Sequence, residues 1–436
     1  MNARVGGFIM PEHVNGLSHL RTFRTASGDL FDGFFSPDKT WTFSKENLID
    51  ARARRVFELM GRACDAGVYP YQLALESRSG PWVQAEGRQM MMLSSYDYLG
   101  LIGDPRIDDS AVDAVRKYGT GTGGVRMLTG TIDLHHMMER ELADFKGTAE
   151  AITFSSGYLA NLAVVAALLS PQDRVILDSL SHRSLVDACR LAGVPLQRFQ
   201  HNDPCSLKQE LESGSPANRT LIIADGVFSM DGDICRLPEL VELKRQFNCY
   251  LMIDESHATG VLGRHGRGTD EHFGIDTSDV DIWTGSLAKA IPSNGGFACV
   301  SQELAIYFQH AAAPFIFSAA LCPAAVAAVR ETLAILRNEP ERVTRLSENA
   351  DFLRAGLQEL GYDTGTSETP IIPVIFRDEA VTALFSGRLR ELGILATPVM
   401  FPAVPQGAAR LRLCVTAAHT RQDLEFALEA FKGMRT

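Results

Sequence analysis

Tyr250-Leu251-Met252-Ile253-Asp254-Glu255-Ser256-His257 and Ile282-Trp283-Thr284-Gly285-Ser286-Leu287-Ala288-Lys289 each run a short apolar stretch into a chemically active end. Neither stretch alternates apolar with polar residues, so each reads as a strand buried on both faces, the kind found in parallel sheets covered by helices. The same pattern recurs at residues 151–154, 174–178, 221–225 and 296–300, with helical stretches between. The expectation is an α/β fold with a mainly parallel sheet and helices on both faces. In such sheets ligands bind beyond the carboxyl ends of the strands, which makes the residues after each run the candidates for function.

Outward from this region, the chain of 436 residues has room for a large domain and a smaller one. From about Thr332 it shows a long charged helix, a strand at 371–376, a helix near 380–392, a strand at 410–414 and a closing helix. That is the pattern of a second, smaller α/β domain. Residues 1–45 read as an arm, 45–66 carry a helical pattern (Leu48, Ala51, Val56, Leu59, Met60), and Trp82-Val83 and 90–94 suggest short strands. The expected division is 1–92 as arm and small segment, 93–330 as the large domain and 331–436 as the small one. No internal repeat or low-complexity tract interrupts it.

Composition excludes several classes. Hydrophobic residues make up 45% and charged residues 22%, as in soluble globular proteins, and no apolar run is long enough for a membrane span. A formal net charge of −11 argues against nucleic-acid binding, which needs a basic stripe. The eight cysteines show neither CxxC pairs nor metal-ligand spacing, so reduced thiols and no metal are expected. The N-terminus lacks a basic start followed by an apolar core, and a cytoplasmic location follows as an expectation.

The strand ends supply four groups that suit one cofactor. Phe154 leads into Ser155-Ser156-Gly157-Tyr158, a helix start whose N–H groups can face a phosphate; Ser-Ser-Gly is also an ordinary helix start. Asp254 ends its strand where a carboxylate could keep a pyridine nitrogen protonated, and His257 follows within reach of a phenolic oxygen; Asp254 could equally cap a turn. Lys289 has small and apolar neighbours and precedes Asn294-Gly295-Gly296, read as a flexible segment. Desolvation there lowers an amine's pKa, as imine formation and proton abstraction require. His182, after the 174–178 strand, reaches the same rim. Together they point to pyridoxal 5'-phosphate (PLP), with Lys289 as its lysine.

With these motifs in place the chain resembles the α-oxoamine synthases, PLP-dependent acyltransferases of fold type I. The resemblance runs from about Leu93 to the C-terminus. It is carried by Ser95-Tyr96-Asp97-Tyr98-Leu99-Gly100-Leu101, Gly130-Thr131-Ile132-Asp133-Leu134-His135, Leu180-Ser181-His182, Gly226-Val227-Phe228-Ser229-Met230-Asp231-Gly232-Asp233, Asp254-Glu255-Ser256-His257-Ala258-Thr259-Gly260, Ser286-Leu287-Ala288-Lys289 and Ala409-Arg410-Leu411-Arg412-Leu413.

The resemblance implies a large domain with a mainly parallel seven-stranded sheet and a smaller C-terminal α/β domain. It implies that Lys289 carries the cofactor and serves as base, Asp254 pairs with the ring nitrogen, His257 and Ser229 lie near the phenolic oxygen, and His182 stacks on the ring. Phosphate contacts come from Ser156, Gly157, Tyr158 and Ser286. Tyr96, Asp97 and Arg412 belong to the substrate side, with Arg412 gripping a carboxylate; Arg410 is read as turned to the opposite face.

The implied activity is a decarboxylating condensation of a small L-amino acid (glycine, alanine or serine) with an acyl thioester of coenzyme A or acyl-carrier protein. Its products are an α-amino ketone, CO2 and free thiol. The implied assembly is a homodimer with the active site at the interface, reached across by residues 96–100 and 315–318. An aminotransferase of the same fold and a catalytically idle partner subunit are the alternatives. The sequence departs from the family pattern at Ala288, at Ile291-Pro292 and at Ala319, where a threonine usually meets the neighbour's phosphate.

Overall fold

The computed structural model describes residues 69–213, 217–401 and 403–434, with the backbone of Arg4–Val5 (β1) paired antiparallel to that of Phe8–Ile9 (β2). The expected arm, the helix at 45–66 and Cys64 otherwise lie outside the described residues. Trp82–Ala85 (β3) and Arg88–Met92 (β4) form a hairpin.

The central sheet has seven strands: Glu150–Phe154 (β5), Arg174–Asp178 (β6), Leu196–Phe199 (β7), Thr220–Asp225 (β8), Tyr250–Asp254 (β9), Ile282–Ala288 (β10) and Pro292–Val300 (β11). Their order is β5-β11-β10-β9-β8-β6-β7. Only β11 opposes its neighbours, being antiparallel to both β5 and β10. Successive side chains go to opposite faces of a strand. Ile176, Ile222, Leu251 and Trp283 therefore enter one core, and Val175, Ile223, Met252 and Ile282 enter the other. Helix Gly157–Leu168 covers the second face with Val164 and Val165, and helix Pro323–Asn338 covers the first with Val326, Val329 and Leu333. Burial of both faces explains why the strands read as continuous apolar runs.

Three details differ from the sequence reading. β7 was not anticipated, because Leu196-Gln197-Arg198-Phe199 is an edge strand with only Phe199 buried. Asn294-Gly295-Gly296 is not a flexible segment but lies inside β11. A Cβ on Gly296 would come within 2.5 Å of the Gly157 backbone nitrogen, so glycine is present to let a strand approach a helix start. The long charged helix is two helices, Pro323–Asn338 and Glu341–Glu359, interrupted at Pro340, which lacks the N–H needed to continue the ladder.

The C-terminal part contains Ile371–Arg377 (β12), Ile394–Leu395 (β13), Thr397–Val399 (β14) and Ala409–Cys414 (β15), with a sheet ordered β12-β15-β14. β13 pairs with β4, so the hairpin of residues 82–92 is joined to this part. Met91 and Leu93 share its core with Leu353, Ile372, Leu413 and Phe431. Among the described residues no helix is long and apolar enough to cross a membrane.

Candidate active site

The carboxyl ends of β6, β8 and β9 and the hairpin between β10 and β11 converge on a cavity of about 200 Å³. Its lining contains Ser156, Gly157, Tyr158, His182, Asp254, His257, Ser286 and Lys289. Residues read from separate strand ends are thus one site.

Lys289 occupies the hairpin, where Ala290 and Ile291 are buried beside it. No hydrogen bond or ion pair holds its amine among the described residues. Burial pushes its pKa down to about 8; Asp254 and Asp225 oppose that shift and Arg412 reinforces it. A buried amine near neutrality is a competent nucleophile and base.

The Asp254 carboxylate is held by two donors, one of them itself fixed by a third residue. Asn161 Nδ2 donates to its Oδ2 at 2.7 Å and the Ser256 N–H donates to its Oδ1 at 2.9 Å. Thr284 Oγ1 donates to Asn161 Oδ1 at 2.7 Å, which fixes the orientation of the amide. The other amide hydrogen of Asn161 reaches Ser184 Oγ at 2.9 Å, and Ser184 Oγ lies 2.7 Å from His182 Nδ1. One hydrogen-bonded chain therefore joins the acid to the imidazole. Burial lowers the pKa of His182, with Asp254 opposing and Lys289 reinforcing. His257 is pushed well below the usual imidazole range by burial and by the charges of Lys289 and Arg412. Its Nδ1 is 2.8 Å from the Tyr98 hydroxyl.

Asn161, Ser184 and Asp225 also line the cavity and were missed by the sequence reading. Asp225 ends an apolar strand as Asp254 does, and that signal was present in the sequence. Burial raises its pKa well above the carboxylate range, and Asp254 adds to the rise. Both Asp225 oxygens receive the His182 backbone N–H at 3.2 Å. Asn161 carried no signal, because a lone Asn in an apolar helix reveals nothing of what it faces.

Helix Gly157–Leu168 begins at the cavity. Ser156 caps it by accepting from the Leu159 N–H at 3.1 Å, which leaves the first N–H groups without intrahelical partners. A Cβ on Gly157 would stand 3.1 Å from that of Ser286, so glycine keeps this cradle open. A helix start of this kind suits a phosphate. The Tyr158 hydroxyl turns away to Asp187 at 2.5 Å, leaving only its backbone for such a contact.

Four expected residues stand outside the lining. Arg412 lies against the Tyr96 ring, 4.6 Å from its centroid, and bonds the Tyr96 hydroxyl; its Nη1 donates to the Ser229 carbonyl at 3.2 Å. Arg412 Nε is buried without a hydrogen-bond partner among the described residues. Ser229 therefore contributes its carbonyl to Arg412. Asp97 is a loop clamp whose carboxylate receives the Leu101 and Ile102 N–H groups at 2.8 and 3.2 Å. Arg410 does not turn to the opposite face. Residues two apart in a strand share a face, and Arg410 binds the Met230 carbonyl and Asp231 in the same loop that receives Arg412.

Within residues 96–100, Tyr98 and Leu99 are buried in this chain while Tyr96 is 37% exposed. The Tyr96 ring meets that of His257 edge-on at 5.7 Å. Phe317, in contrast, is 80% exposed. Ala319 offers its carbonyl to Ser155 Oγ at 3.1 Å and has no side-chain donor.

The buried unpaired amine, the strand-tip carboxylate and the open helix start fit PLP. Comparison with known proteins agrees. Residues 88–431 match the family described as aminotransferase class I and II. An 8-amino-7-oxononanoate synthase from Exiguobacterium sibiricum is 46% identical over 84% of this chain and 94% of its own length. A solved structure described as SPT with PLP internal aldimine superposes with a TM-score of 0.85 at 31% identity, over 89% of this chain and 98% of the other. A serine palmitoyltransferase from Sphingomonas wittichii gives the same TM-score, identity and coverage. The chain belongs to the α-oxoamine synthase family, PLP-dependent acyltransferases of fold type I that carry out decarboxylating Claisen-type condensations.

Proposed function

We propose that this enzyme condenses a small L-amino acid with an acyl thioester, releasing CO2 and free thiol and leaving an α-amino ketone. The observation that carries the reading is Lys289, a buried amine without a partner at the rim where Asp254, His182 and His257 meet. Lys289 would hold the cofactor through its amine until a substrate amine displaces it, Asp254 would serve the ring nitrogen, and His182 would pack on the ring. The helix start at Ser156-Gly157-Tyr158, together with Ser286, would take the phosphate, and His257 would serve the phenolic side. When bound, PLP supplies an electron-withdrawing ring beside the amino acid's α-carbon.

The residues then divide the work. Arg412 orients the amino acid by its carboxylate, using the unpaired Nε and the fork geometry of a guanidinium. Lys289, with its lowered pKa, takes the α-proton. The α-carbon attacks the thioester carbonyl and the thiolate leaves. The amino acid's own carboxylate departs as CO2, and a proton returns to the α-carbon. Tyr96, edge-on to His257 and bonded to Arg412, aligns the two ends of the site. The Exiguobacterium relative is an 8-amino-7-oxononanoate synthase, a name that denotes a product with adjacent amino and keto groups, the product class proposed here.

The functional unit is a homodimer, supported by the exposed Leu128 and Phe317 on segments joined by the Val125–Ala319 bridge. The test of the reaction is direct. Holoenzyme is given glycine, alanine or serine with an acyl-CoA, and CO2 and thiol are measured against keto acid. Equimolar CO2 and thiol are expected. Keto acid without thiol would make the enzyme an aminotransferase.

A further inference from the structure

A second cavity, of about 350 Å³, adjoins the amino-acid side of the site. Two links fix its place. Ser95 in its wall precedes Tyr96, which contacts both Arg412 and His257. Thr397, also in its wall, is the register partner of Arg412 across β14 and β15. The cavity therefore begins one residue away from the groups that hold the amino acid.

Its surface suits hydrocarbon. Tyr69, Tyr71, Leu73, Leu75, Met92 and Leu395 supply the apolar wall. Most of the lining hydroxyls are already engaged, Tyr71 among them, which donates to the Pro398 carbonyl at 3.2 Å. Ser94 Oγ donates to the Leu395 carbonyl at 3.3 Å and accepts from the Thr397 N–H at 2.8 Å. Ser386 Oγ donates to the Ala396 carbonyl at 2.7 Å, and Ser79 and Ser95 bond each other at 3.3 Å. Satisfied hydroxyls do not call for a polar ligand.

Charge narrows the ligand further. Arg390 is the charged side chain lining this cavity among the described residues, and Glu86 engages it at both ends, with Nε donating to Oε2 at 2.9 Å. No described cation is left over for an anionic chain end.

From this we infer that the cavity receives the acyl chain of the thioester and favours an uncharged hydrocarbon chain over one ending in a carboxylate. The inference rests on the condensation proposed above. An apolar pocket adds roughly fourfold in affinity for each methylene it buries, so donors should improve with length until the cavity is full.

Gly387 offers a clean test. It lines the cavity within helix Glu379–Glu391, and a Cβ built there meets nothing within 4 Å. Gly387→Leu adds bulk at the wall from a Cβ position that is open, and leucine is the better helix former. Thiol release by holoenzyme is measured with acetyl-, hexanoyl- and octanoyl-CoA and with a hexanoyl-length donor ending in a carboxylate. In wild type the unsubstituted hexanoyl donor is expected to exceed the carboxylated one by at least about tenfold in kcat/KM. In Gly387→Leu, octanoyl is expected to fall by at least about tenfold relative to acetyl, with the melting temperature and cofactor absorbance retained. An unchanged chain-length profile in that folded variant overturns the inference, as does preference for the carboxylated donor. Wild type that releases no thiol from any donor overturns the condensation itself and the inference with it.

Discussion

Asp225 and Asp254 are register partners at the tips of adjacent parallel strands, and both carboxyls line the cavity that holds Lys289. Two carboxyls so placed cannot share a role. Burial and the charge of Asp254 push the Asp225 carboxyl well above the usual carboxylate range, toward its neutral form, and it accepts the His182 N–H. Asp254 is surrounded by donors from Asn161 and Ser256.

A neutral acid is well mimicked by an amide. Asp225→Asn is therefore expected to cost less than about tenfold in kcat/KM. Asp254→Asn removes the charge meant for the ring nitrogen and is expected to cost about 10²-fold or more in kcat. Steady-state kinetics on the two variants decide it, and equal losses would refute the division of roles.

Lys289→Ala is expected to abolish turnover while leaving weak PLP binding, since the phosphate cradle remains. Near-normal turnover would remove Lys289 from the mechanism.

The same lysine destabilises the apoenzyme. Its folded pKa of about 8 lies below its ordinary 10.5, so the penalty for burying the charge is fully present below pH 8 and vanishes above pH 10.5. Lys289→Met is expected to stabilise the apoenzyme by about 2–3 kcal/mol at pH 7. The gain should shrink as pH rises through that window, as read by denaturant melts.

Arg412→Lys keeps the charge but loses the fork that a carboxylate matches. The KM for the amino acid is expected to rise about tenfold or more, with the KM for the thioester changed little. Arg410→Lys, at a residue bound to Asp231 and Met230, should leave the amino-acid KM within about threefold. The two KM values measured separately test this.

His201 bridges Asp178 and Asp233 at 3.0 and 2.9 Å, tying the strand tip ahead of His182 to the end of the loop that receives Arg412. These carboxylates raise its pKa to about 10 against desolvation, the largest opposing influence. With the folded value raised, its stabilisation is complete below about pH 6.5 and is lost as pH rises through 10. His201→Gln is expected to lower stability by about 2 kcal/mol at pH 6, discounting for partial exposure. The deficit should close by pH 10 in melts across that range.

Much of the site was legible because buried parallel strands are continuous apolar runs and their tips share one rim. Asp254, His257, His182 and Lys289 each follow such a run, and the cavity joins all four. Arg412 was legible only through family resemblance, since an arginine in a strand does not announce its ligand.

The sequence by itself determined the strands buried on both faces, the rim and the order in which acid, imidazole and amine arrive there, because these follow from local periodicity; the half-exposed edge strand β7 escaped it. Tertiary structure alone decided which groups meet. Asp225 faces Asp254 because β8 lies beside β9 in register, and Asn161 reaches Asp254 because its helix crosses the sheet at that point. Glycines that resembled a flexible segment became a strand because a helix start had to come close. Lys289 kept an unpaired amine for the same non-local reason: its surroundings were assembled from strands far apart in the chain, and only their packing removes water from it.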